Sequence, residues 1–329
     1  MKSIHHISNV VKKYKTFLPA SCIVNPQEEN GMKIIYAWLA TYAKIRSWAT
    51  NKDKRKAIEK ALPKISGSEG HKEENDITDL LEKRKYVVLQ GAPGTGKTYT
   101  ALNIAKGYDQ TFFEQFHAET TFSDFVYGIE PNISKDMSQP QFQAKKGILY
   151  QAVEYAINNK NEKVLLIIDE INRANLSNVL GPVFYLFEYQ TGERNVKILV
   201  GDMELTQLPD NLYVIATMNT ADRSLAVVDF ALRRRFAWYT LRPREITPGV
   251  GKKFMKETYN KFADIFFQYA TDDELNLQPG QSYFKEMKER MIYELLPLMK
   301  EYLTEGYLLK AKDAFCDLFL KETGKLMYE

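Results

Sequence analysis

Between residues 80 and 244, apolar positions come in short dense runs separated by longer stretches of helical period. The runs Tyr86–Gln90, Thr111–His117, Val164–Ile168, Leu212–Thr217 and Phe236–Leu241 are rich in β-branched and aromatic residues. They are the length of strands, and continuous apolar character marks strands covered on both faces. Helical stretches, including Gly147–Asn158 and Asn175–Thr191, fill the gaps. The alternation predicts an α/β core, a parallel sheet with helices on both faces. Val196–Gln207 departs from it: Ile198 and Val200, then Gly201-Asp202, then Met203 and Leu205 predict a β-hairpin with a two-residue turn.

On either side the helical period dominates. Met32–Trp48 spaces Ile35, Trp38, Leu39, Tyr42 and Ile45 along one face. Lys52–Leu62 is a basic helical run ending at Pro63, and Ser66–Asp76 reads as a linker by its Ser, Gly, Glu and Lys content. After Pro243, Lys252–Ala270 aligns Phe254, Tyr259, Phe262, Phe266 and Tyr269, a stripe that reads as core. Phe284–Leu303 follows, interrupted near Pro297, and then Ala311–Leu320. The expected regions are therefore 1–80, helical with a linker; 81–244, the α/β core; and 245–329, a helical domain.

The 329 residues are 44% hydrophobic and 26% charged with a net charge of +3, the balance of a globular protein with no compositional bias toward nucleic acid. Lys52, Lys54, Arg55, Lys56, Lys60 and Lys64 cluster locally, which reads as a solvated helix face. Cys22 and Cys316 sit at opposite ends of the chain, as expected of free thiols in a reducing, cytoplasmic setting. With four histidines and no Cys/His cluster, a structural zinc is not expected. No apolar run approaches the ~18 residues of a membrane span, and the N-terminus shows no signal-peptide pattern.

The chemistry concentrates in three stretches. Gly91-Ala92-Pro93-Gly94-Thr95-Gly96-Lys97-Thr98, followed by Tyr99, is G-x-x-x-x-G-K-T between a strand and a helix start. Such a loop turns backbone N–H groups around an anion, sends the lysine to the β and γ phosphates and offers the threonine hydroxyl to Mg²⁺. Val164–Glu170 is a buried strand ending in two acids. Beside a phosphate loop, Asp169 is suited to hold Mg²⁺ and Glu170 to act as general base on the attacking water. Leu212–Asn219 ends a third strand in an amide, and Asn219 there is suited to position that water. Arg233, Arg234 and Arg235 are consecutive and cannot all face one partner; an outward arginine is suited to stabilise a phosphoryl group across a subunit boundary.

Together these stretches resemble the AAA+ superfamily of P-loop NTPases, and within it the McrB family, the motor subunits of modified-cytosine restriction systems. The resemblance rests on Asp169-Glu170-Ile171-Asn172-Arg173-Ala174-Asn175, on Met218-Asn219-Thr220-Ala221-Asp222-Arg223-Ser224, and on Leu225–Phe236 with Ala231-Leu232-Arg233-Arg234-Arg235-Phe236. Phe116-His117 and Phe122–Pro131 extend it upstream. Gly280-Gln281-Ser282-Tyr283-Phe284 is similar to the family's lid motif, which usually has His where this chain has Gln281. The likeness covers roughly residues 85–290. It implies a ring, usually a hexamer, with nucleotide at subunit boundaries, and a C-terminal helical lid. It implies hydrolysis of GTP, or of ATP as in most AAA+ proteins, with Mg²⁺ as cofactor. It also implies an McrC-type nuclease partner, DNA translocation and no membrane. By the same likeness Asn219 is the sensor, Arg234 or Arg235 the arginine finger, and Arg173 and Arg223 lie near the boundary. The competing expectation is a protein remodeller of the MoxR or dynein-related kind.

Overall fold

The computed structural model describes residues 69–132, 141–188, 196–221, 230–246, 254–271, 273–285 and 288–328. The helices expected over Met32–Trp48 and Lys52–Leu62, the basic cluster, Cys22 and Arg223 lie outside them. The described residues fall into two compact units, one within Glu69–Gly251 and Asn276–Lys285, the other within Lys252–Leu275 and Glu286–Glu329.

The first unit is built on a five-stranded parallel sheet: β1 (Tyr86–Gly91), β2 (Gln110–Gln115), β5 (Val164–Asp169), β8 (Leu212–Asn219) and β9 (Ala237–Thr240), in the order β2-β5-β8-β1-β9. Neighbouring strands are all parallel. The two-residue period of a strand sorts its side chains onto two faces. Val164, Leu166 and Ile168 of β5 join Val88 and Val214 in one core, while Leu165 and Ile167 join Val87, Leu89 and Ile215 in the other. Helix α4 (Ile148–Asn158) covers the first face with Leu149, Tyr150, Ala152, Val153 and Ala156. Helices α1 (Glu69–Arg84) and α2 (Lys97–Ala105) cover the second with Ile77, Leu81, Ala101 and Ile104. Each such aliphatic side chain contributes about 1.5–3 kcal/mol by leaving water. The sheet is therefore rigid, and its C-terminal edge is a fixed platform for the loops that follow β1, β5 and β8.

Four features differ from the sequence reading. Ser66–Asp76 is not a linker throughout: Glu69–Arg84 is one helix, because Ile77 and Leu81 are fully buried on the sheet and anchor the polar turns before them. Asn175–Thr191 is not one helix. Helix α5 (Leu176–Leu180) stops at Gly181 (φ 44°, ψ −132°), and a 3₁₀ segment, Gly181–Phe187 with Pro182 in its first turn, follows. A second hairpin, β3 (Tyr127–Pro131) with β4 (Phe142–Lys146), follows the four-residue helix α3 (Phe122–Phe125). Residues 276–285 return to the α/β unit instead of staying with the helices around them. The hairpin expected at Val196–Gln207 is present as β6 (Ile198–Val200) and β7 (Met203–Leu205) about Gly201-Asp202. Helix α6 (Phe230–Arg235) precedes β9.

The second unit holds α7 (Lys256–Tyr269), α8 (Lys288–Arg290), α9 (Leu296–Thr304) and α10 (Lys312–Thr323). Of the aromatic stripe, Tyr259, Phe262 and Phe266 are core, the last two 5.3 and 5.6 Å from the ring of Phe315, while Phe254 and Tyr269 are half-buried. The interruption near Pro297 takes the form of a π-helical turn, Met291–Leu295, with Leu296 N–H donating to the Met291 carbonyl. A wide turn just before a proline absorbs the ring and the missing donor. Among the described residues no helix is long and apolar enough to cross a membrane.

Candidate functional site

The C-terminal edge of the sheet collects the motif residues. Parallel register sets Gly91 opposite Asn219, and Gln115 opposite Asp169. Beyond Gly91 the chain turns through Gly94 (φ 76°) and Gly96 (φ 91°), left-handed conformations that glycine adopts without a Cβ clash, and Gly96 begins α2. Thr95 Oγ1 donates to the Ala92 carbonyl at 2.9 Å and closes the loop on itself. Lys97 is buried, and its ammonium donates to the Gly91 and Ala92 carbonyls, both at 3.0 Å, which keeps the charge over the loop. Tyr99, the third residue of the helix, is exposed, with the Lys285 ammonium 6.0 Å from its ring.

At the end of β5, Asp169 is buried and its Oδ1 accepts hydrogen bonds from Thr98 Oγ1 and Thr217 Oγ1, each at 2.7 Å. The Thr98 hydroxyl and the Asp169 carboxylate form the all-oxygen donor pair that suits Mg²⁺, a hard cation that keeps most of its waters and takes one or two protein oxygens. Glu170 follows with φ 53° and ψ 46°. A left-handed glutamate costs of order 1–3 kcal/mol and persists where the surroundings impose it. Here its N–H donates to Thr217 Oγ1 at 3.0 Å, and Arg173 Nε lies 3.5 Å from its Oε2. Asn219 closes the edge from β8. Its side-chain oxygen accepts from Ala221 N–H at 3.1 Å, its carbonyl from Asn172 Nδ2 at 3.3 Å, and Thr220 N–H donates to the Gly91 carbonyl at 3.1 Å.

The two candidate finger residues are placed differently. Arg234 and Arg235 both donate to Glu188 Oε1, at 2.5 and 2.6 Å. The Arg235 side chain is only 9% exposed and lies 4.2 Å over the Phe184 ring, whereas the Arg234 side chain is 68% exposed. Next in the chain, Phe236 stacks on Phe187, and Tyr86 meets the Phe187 ring edge-on. The burial of Arg235 leaves Arg234 as the one of the two that faces outward.

Comparison with known proteins bears on this arrangement. Residues 86–236 match the AAA domain family, dynein-related subfamily. The Type IV methyl-directed restriction enzyme EcoKMcrB subunit of Escherichia coli (strain K12) is 32% identical over 292 residues, covering 73% of this chain and 61% of that protein. The chain belongs to the McrB family of AAA+ proteins. The Type II restriction enzyme BsuMI component YdiS of Bacillus subtilis (strain 168) is 27% identical over 223 residues, covering 51% of this chain and 64% of that protein. The chain thus spans less than two thirds of either relative.

In this McrB-family chain three residues at the site take part in ways the motifs did not assign. Thr217 joins Asp169 to the Glu170 backbone. Its signal is a hydroxyl in an otherwise apolar strand, one pleat before the edge. Asn172 is buried and braces Asn219. Glu188 holds both arginines from a position 46 residues away from Arg234, a pairing that spacing alone does not reveal.

Proposed function

We propose that this chain is a nucleoside-triphosphatase motor that works as a ring, in the manner of a hexamer, in restriction of modified foreign DNA. GTP is the favoured substrate, ATP the competitor, and Mg²⁺ the cofactor. The observation that carries the proposal is the meeting of Lys97, Thr98, Asp169, Glu170 and Asn219 at one sheet edge. Bound Mg²⁺ would neutralise charge on the triphosphate oxygens. Gly91–Thr98 receive the phosphates, and Lys97 counters their charge. Glu170 takes the proton of the attacking water while Asn219 orients that water. Arg234 reaches a neighbouring subunit's nucleotide, with Arg173 and Arg223 assisting at the boundary. The printed names of the two relatives, both restriction-enzyme components, support DNA restriction as the setting. A McrC-type nuclease as partner and DNA translocation as the work done follow from the family likeness.

The test is GTP and ATP hydrolysis measured side by side on the full chain, each with and without double-stranded DNA and a candidate nuclease subunit. Expected is turnover that prefers GTP and rises with DNA or the nuclease. No turnover of either nucleotide sinks the motor reading. Turnover indifferent to DNA and nuclease, but stimulated by a protein substrate, moves the chain to the remodeller class.

A further inference from the structure

We propose that Gln281 is a positioning residue for the phosphate loop. It works at the centre of a strap, Gly280–Ser282, that holds the loop's outer backbone in the shape that receives a triphosphate. The inference rests on the reading of Gly91–Thr98 as a nucleotide site and concerns what keeps that loop in shape.

A loop that wraps N–H groups around an anion turns carbonyls the other way, and each carbonyl taken out of water needs a donor. Three consecutive carbonyls of the loop meet three consecutive residues of the strap. Gly280 N–H donates to the Pro93 carbonyl at 2.7 Å, and Ser282 N–H to the Gly94 carbonyl at 3.1 Å. Between them, Gln281 Nε2 donates to the Thr95 carbonyl at 2.8 Å. Gln281 is 5% exposed, and its Oε1 accepts from Arg244 N–H at 3.3 Å, so the amide is oriented from both ends. The Arg244 guanidinium in turn pairs with Glu73 of α1.

The fit leaves no room for side chains at the crossing. A Cβ on Gly280 would lie 2.1 Å from the Gly94 carbonyl carbon, and one on Gly94 would lie 2.4 Å from Ser282 Oγ. The start of the same segment is held beside the sensor position, where Thr220 Oγ1 donates to the Asn276 carbonyl at 3.2 Å. Both ends of the segment continue into the helical unit. A preorganised loop binds more tightly because the ordering cost is met before the ligand arrives. Gln281 acts on affinity through Thr95 and touches no reacting atom.

The experiment measures binding of mant-GTP and mant-ATP with Mg²⁺, and KM and kcat for the parent nucleotides, on the full chain. Variants are Gln281→Ala, Gln281→Met and Gln281→His, with Lys97→Ala alongside. Losing the donor weakens affinity about tenfold in Gln281→Ala and raises KM to match, while kcat at saturation stays within about twofold. Gln281→Met fills the space without a donor and behaves like Gln281→Ala, which keeps the test decisive if the smaller side chain destabilises the fold. Gln281→His restores a ring N–H donor and most of the affinity. Wild-type affinity in Gln281→Ala or Gln281→Met, or a Gln281→His as weak as they are, overturns the inference. If Lys97→Ala itself binds nucleotide normally, the site reading has failed; if only the Gln281 variants bind normally, the strap alone has.

Discussion

A glutamate in left-handed backbone at the tip of a buried strand puts stability and chemistry in opposition. Glu170→Gln keeps the backbone and removes the base; turnover should fall about 10²–10⁴-fold with nucleotide binding retained. Glu170→Gly relieves the conformation as well. It should be equally inactive yet more stable by about 1 kcal/mol in urea unfolding, since φ 53° suits glycine. A Glu170→Gly variant less stable than wild type would show that the strain argument is wrong. The arginine pair makes a second contrast. Arg234→Ala should lower turnover about 10³-fold or more in the assembled protein and leave the unfolding midpoint alone. Arg235→Ala removes the buried one of Glu188's two arginine partners and, with Arg234 still paired, should cost about 1–3 kcal/mol of stability. At this scale the motifs were legible because phosphate, metal and water chemistry dictate residue type and spacing. Which of Arg234 and Arg235 faces outward was not, because that depends on Glu188 and Phe184, which lie far away in the chain.

Elements divide along the same line. β1, β5 and β8 were legible because a strand covered on both faces is apolar throughout. The β3–β4 hairpin was not: Ile129 and Phe142 point into solvent and among its ten residues only Gly128 is buried, so no alternation marks it. Helix α1 was hidden by a polar composition that resembles a linker, since two residues, Ile77 and Leu81, hold it down. Leu81→Ala should therefore cost about 2–5 kcal/mol by denaturant unfolding, as a core truncation does, where a linker residue would cost almost nothing. The hairpin is tied by charge. Asp124 is held down at about 2, chiefly by the hydrogen bond from Lys145 and then by those from Thr121. With an unfolded value near ~3.9, this depressed group supports the fold fully above about pH 4 and loses its contribution as pH falls toward 2. Protection of the β3 and β4 amides, taken relative to the unstructured exchange rate at each pH, should fall over that window, and the fall should be lost in Asp124→Asn.

At the scale of the whole molecule, one chain places the phosphate loop and the proposed base Glu170 at one sheet edge, while the proposed finger Arg234 is exposed. A site completed by a neighbour predicts assembly. The Glu170→Gln chain, which binds without turning over, should elute as a ring with Mg²⁺ and GTP and as a smaller species without nucleotide. A monomer under both conditions would count against the shared site. The fold also sets an order of synthesis. Gln281 stands 186 residues after the Thr95 carbonyl it supports, and ordering so distant a pair is the slow, entropically demanding kind of closure. On the ribosome the last strand of the sheet, β9, is made before the residues that brace the phosphate loop. On the strap proposal, a chain with its sheet folded but Gly280–Ser282 not yet emerged binds nucleotide weakly, and full affinity is reached only once those residues have left the ribosome.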